Sequence, residues 1–72
     1  MAITIRAHGV FRERIPDNTT LEDARTVGDA IERLDLPSDS GMAILVNDHL
    51  AHWNTPLHDG DIVQLVPQLS GG

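Results

Sequence analysis

The reading turns on the last eleven residues, Ile62-Val63-Gln64-Leu65-Val66-Pro67-Gln68-Leu69-Ser70-Gly71-Gly72. Ile62–Val66 is apolar on both faces apart from Gln64, the pattern of a strand with neighbours on both sides. Pro67 has no N–H to give to a sheet ladder, so it marks the expected exit from the fold. The sequence thus divides into a folded body, residues 1–67, and a tail, residues 68–72. Extended, five residues reach roughly 17 Å. That length carries a terminal carboxylate into a partner's active site while the body stays outside. Glycine lacks Cβ, so Gly71 and Gly72 pass where side chains do not fit. Two consecutive glycines end a chain by chance in only about 0.5% of cases.

Working back from this strand, Asp59-Gly60 is a tight turn, and the aspartates Asp59 and Asp61 belong to that turn rather than to a catalytic carboxylate pair. His49–Leu57 is irregular and carries Trp53 and Pro56. Asn47-Asp48 forms another turn, and Met42–Val46 reads as a strand with little solvent exposure. Thr26 is a helix N-cap with Asp29 as an imperfect capping box. Val27, Ala30, Ile31 and Leu34 follow at helical spacing, with Asp29 and Arg33 paired on the solvent side. Leu36-Pro37 is the expected helix stop. At the start, Ala2–Ala7 alternates as a strand, Gly9 turns the chain, and Val10–Ile15 alternates again up to Pro16-Asp17-Asn18. A first hairpin is expected there. The order of hairpin, helix, strand, short strand and strand predicts an α+β fold of β-grasp topology, a mixed sheet of four to five strands packed on one main helix.

Composition narrows the chemistry. The chain has 72 residues, 40% of them hydrophobic, with Phe11 and Trp53 its only aromatics, so the core must be aliphatic. A domain of this size buries only about 60% of its unfolded surface. The absence of Cys excludes disulfides, Cys-ligated zinc, iron–sulfur clusters and thiol nucleophiles. A net charge of −6 repels phosphate backbones, so no nucleic-acid partner is expected, and it suits basic protein surfaces. No apolar run approaches a signal peptide or a membrane span, and a cytoplasmic location without membrane association is expected. All five basic residues are Arg. Without Lys, an activated C-terminus meets no ε-amine of its own, although an Arg-biased composition explains the same fact more simply.

His49, His52 and His58 read as loop histidines, and no metal site is expected, since a tri-His centre needs convergent geometry and outer partners. Trp53 reads by default as core packing, with an exposed partner contact as the alternative. Leu65, Pro67 and Leu69 are the expected docking residues, because they lie beside the tail.

The stretch TPLHDGDIVQLVPQLSGG from Thr55 to Gly72 resembles the end of MoaD/ThiS-type sulfur carriers, which commonly read TPL-x-DGD, an apolar strand, then Pro and a small-residue GG ending. The helix TVGDAIERL from Thr26 and the segment ILVND from Ile44 are also similar to that family. The resemblance implies a ubiquitin-like β-grasp and a Gly72 carboxylate that is adenylated and then converted to a thiocarboxylate. Gln68, Leu69, Ser70, Gly71 and Gly72 would enter the partner's active site. Implied partners are a ubiquitin-activating-type adenylyltransferase (MoeB/ThiF-like) that uses ATP-Mg, and a sulfur donor such as a cysteine desulfurase. An acceptor enzyme, MoaE-like or alternatively ThiG-like, would take the sulfur. The carrier would be a co-substrate rather than an enzyme and would bind no cofactor itself. Pro67 and the Ser70-Gly71-Gly72 ending resemble molybdopterin-synthase small subunits. Gln68, where those carry a second Pro, leaves open a thiazole-pathway carrier, another sulfur-transfer route, or a protein modifier that forms isopeptide bonds.

Overall fold

In a computed structural model, residues 1–16, 18–36 and 41–68 are described. Their strands are β1 (Ala2–Ala7), β2 (Thr19–Glu22), β3 (Met42–Val46), β4 (His49–Leu50) and β5 (Ile62–Pro67), with one helix, α1 (Val27–Arg33). The five strands form a sheet of order β2-β1-β5-β3-β4. β5 lies parallel to β1, with Ile5 opposite Val63, and antiparallel to β3, with Ile44 opposite Leu65. The strand that precedes the tail is therefore the centre of the sheet, as its two-sided apolar pattern requires.

Alternation puts Ile3, Ile5, Ala7, Val63 and Leu65 on one face, where they share a single buried cluster with Val27, Ala30 and Ile31 of α1. Phe11 is the one aromatic in this otherwise aliphatic core. Thr26 caps α1 by accepting the Asp29 N–H at 3.1 Å, and the Asp29 carboxylate reaches back to the Arg25 N–H at 3.1 Å. The cap is reciprocal in the manner of a capping box, displaced by one residue. This mixed sheet packed on α1 is the ubiquitin-like β-grasp.

Three local expectations are corrected. Val10–Ile15 is not a strand: Gly9–Glu13 is a 3-10 helix and the hairpin partner of β1 is β2, with Ile3 opposite Leu21. Phe11 and Ile15, four residues apart, are both buried while Val10 faces solvent, and the N–H of Ile15 bonds to Phe11 O at 3.0 Å. That spacing is helical, and it overrides the alternation. The helix stops before Leu36-Pro37, because Leu34 caps it and Asp35 takes a left-handed conformation at φ 56°. In β3 only Ile44 is buried. Its neighbour β4 has two residues, and among the described residues it pairs only with Leu45 and Val46 of β3. No helix among the described residues is long and apolar enough to cross a membrane.

Candidate functional site

The site is built around the end of β5. Asp61 anchors the strand's start. Its carboxylate accepts the His58 N–H at 2.8 Å and the Asn47 side-chain amide at 2.9 Å. The backbone hydrogen bond from His58 holds the Asp61 pKa below its usual value, helped by Asn47 and the nearby imidazole, against a smaller opposing effect of burial. Asn47 also accepts the Ile62 N–H at 3.0 Å. Asn47 and Asp48 both have positive φ, 50° and 69°, as a two-residue turn between antiparallel strands requires. Asp59 accepts the Ala2 N–H at 2.8 Å. Both aspartates are thus turn structure, as the DG motif implied.

At the far end, Pro67 stands opposite Met42, and Gln68 still donates its N–H to Gly41 O at 2.8 Å. The ladder therefore holds one residue beyond Pro67. Pro67 also packs on Gly9, where φ is +59° and an added Cβ would fall 2.7 Å from Pro67 Cγ. Beside this contact runs a polar chain on the outer sheet face. Gln64 donates to Asp48 at 2.8 Å, which turns its amide oxygen toward His8 Nε2 at 2.9 Å. An amide oxygen only accepts, so His8 Nε2 carries the proton of that bond.

Of the expected docking residues, Leu65 is corrected. It points into the core and is fully buried, because inward-facing positions of the central strand have no surface. Pro67 is partly exposed. Leu69, Ser70, Gly71 and Gly72 lie outside the described residues. Trp53 is not core either: it is 43% exposed and fixed by its backbone, with its carbonyl accepting the Gly28 N–H at 2.9 Å. Trp53 borders a groove of about 220 Å³ lined also by Met42, Ala43, Ile44, Leu50 and Gln68. Sequence reasoning missed this groove, and its only signal was an aromatic in an irregular segment. Among the described residues no three His, Asp or Glu side chains converge as a metal site.

A β-grasp body whose central strand leads directly into a Gly-Gly segment defines a ubiquitin-like carrier domain. The chain belongs to the ThiS family, whose sequence model matches residues 8–72, and thus to the MoaD/ThiS-type ubiquitin-like sulfur carriers. No curated protein matches it by sequence. Among solved structures, a chain of the complex of subunits 1 and 2 of molybdopterin-converting factor from Helicobacter pylori 26695 is 29% identical, with a TM-score of 0.72 and both chains covered in full. The HVO 2177 protein of Haloferax volcanii is 26% identical at a TM-score of 0.80, covering 100% of this chain and 87% of that one. SAMP1 from Haloferax volcanii, 22% identical, shares the fold at a TM-score of 0.80 with both chains covered in full.

Proposed function

We propose that the chain is a sulfur carrier whose working group is the Gly72 carboxylate. One observation carries the reading: the ThiS-family match runs through β5 and on to Gly72, so the fold's central strand and the Gly-Gly segment belong to one motif. A carboxylate oxygen of Gly72 attacks the α-phosphate of ATP on an adenylyltransferase, and pyrophosphate leaves. The terminal sulfur of a desulfurase-derived persulfide then attacks the acyl carbon and AMP departs with one carboxylate oxygen; the acyl disulfide so formed is cleaved by a thiol reductant, which becomes the disulfide and leaves the thiocarboxylate. No side chain of this protein takes part in any of these steps. The carrier acts as a co-substrate, and its body serves to position the tail.

The acceptor favoured here is a molybdopterin-forming enzyme of the MoaE type. The likeness to the Helicobacter pylori molybdopterin-converting factor, a complex of two subunits, supports this choice. A thiazole-forming acceptor of the ThiG type is the second reading, favoured by the ThiS-family match itself. Adenylyltransferase assays of the wild-type protein and of a chain lacking Gly72 test the proposal. Loss of ATP-dependent activation without loss of folding is expected on removing Gly72. A shortened chain that supports its pathway as well as the wild type would mark a simple interaction module. Gly-Gly remnants on lysines of other proteins would instead identify a modifier.

A further inference from the structure

The two neighbours of β5 let go of it at different points. Toward β1, the last backbone bond among the described residues runs from His8 N–H to Leu65 O at 3.0 Å. Beyond it the chain turns away at Gly9, where φ is +59°. Pro67 has no N–H to offer on that side and sets its ring against Gly9 instead. Toward β3 the pairing goes further. Met42 stands opposite Pro67, and in an antiparallel ladder hydrogen-bonded pairs alternate with unbonded ones. Pro67 occupies an unbonded position, so its missing donor costs nothing there and the next bond falls to Gln68. The Gln68 N–H reaches Gly41 O at 2.8 Å. The body thus keeps hold of the chain by a main-chain bond one residue past the proline.

We propose that Gln68 is a positioning residue for the activation of Gly72. Held by its backbone N–H, it stays on the body, and the segment that enters the activating enzyme starts at Leu69. The proposal rests on the sulfur-carrier reading and shortens the working tail from five residues to four. Four residues span at most about 14 Å, against roughly 17 Å for five. The sheet therefore acts as a ruler between the body and the reaction centre. Each further residue released from the sheet has to be ordered when the tail threads its site. That ordering lowers the productive population about fivefold or more. The side chain of Gln68 is not what the ruler needs, because the donor belongs to the main chain. Every residue except proline supplies it.

The test combines ATP–pyrophosphate exchange by the adenylyltransferase of the same organism with hydrogen exchange of the Gln68 amide in the full chain. Gln68→Pro removes the donor, whereas Gln68→Ala removes the side chain and keeps the donor. A third chain, with one Gly inserted between Gln68 and Leu69, keeps the bond and adds one residue to the reach. Thermal unfolding checks that all three fold, and the insertion, placed beyond the last paired residue, decides the point if Gln68→Pro does not. kcat/KM is expected to be about fivefold lower for Gln68→Pro than for Gln68→Ala, and about fivefold lower for the insertion than for the wild type. The wild-type Gln68 amide is expected to exchange more slowly than the same residue in an unstructured peptide. Equal kcat/KM for Gln68→Pro and Gln68→Ala overturns the proposal while leaving the sulfur-carrier reading intact. So does an insertion as active as the wild type, or a Gln68 amide that exchanges at the unstructured rate. Absence of pyrophosphate exchange with the wild-type chain overturns both readings.

Discussion

Gly9 and Pro67 touch backbone to ring: the Cβ that Gly9 lacks would lie 2.7 Å from Pro67 Cγ. The contact joins the turn after β1 to the last residue of β5. Gly9→Ala faces both a left-handed φ and this clash, and is expected to destabilise the fold by about 2–3 kcal/mol. Gly41→Ala has a similar φ, +64°, with nothing among the described residues within 4 Å of an added Cβ, and serves as the control for backbone strain alone. Its expected cost is about 1 kcal/mol. Urea unfolding of the two variants measures the difference, and equal losses would show that the Pro67 contact contributes nothing.

Leu65 is a core residue of the central strand and not a docking residue. Leu65→Ala is expected to lose about 2–5 kcal/mol, a large share of the stability of so small a domain. Leu50→Ala, on the surface, is expected to stay within about 0.5 kcal/mol of the wild type. Thermal or denaturant unfolding checks both, and a stable Leu65→Ala variant would contradict its placement.

Thr26→Ala removes the acceptor for the Asp29 N–H. The expected cost is about 1 kcal/mol, read as a lower urea midpoint at unchanged slope.

Asp61 gives a pH dependence with a definite sign. Its folded-state pKa lies below the ordinary value of 3.8, first because the His58 N–H bonds to the charged carboxylate. The resulting stability is fully present above the ordinary pKa and is lost as pH falls through the lower, folded-state value. Asp61→Asn is expected to be less stable than the wild type at neutral pH, with the gap closing below the ordinary Asp pKa. Parallel melting curves across that range check it, and a constant gap would argue against the linkage.

The sequence made the architecture legible wherever one residue pattern had one physical meaning. Two-sided apolarity in Ile62–Val66 placed β5 at the centre, Thr26 with Asp29 located the start of α1, and the DG and ND turns kept their positions. The segment Val10–Ile15 misled because six residues with apolar positions at both spacings fit a strand or a helical turn. Only the packing of Phe11 and Ile15 into a common core decides between them. The same limit hid the groove. Leu50 and Trp53 lie 8 and 11 residues beyond Met42, and no pattern in the intervening sequence shows that the three line one groove beside a β4 of two residues. Leu65 was misjudged for a related reason: closeness to the tail along the chain says nothing about which face of the strand a residue occupies.

The central claim concerns Gly72, and intact-mass spectrometry of the wild-type chain tests it most directly. After incubation with the adenylyltransferase, ATP-Mg and a sulfur donor, the account predicts a mass gain equal to replacement of one oxygen by sulfur, located in the peptide that ends at Gly72. An adenylated chain that never takes up sulfur, in the reconstituted reaction or in cells, would contradict it.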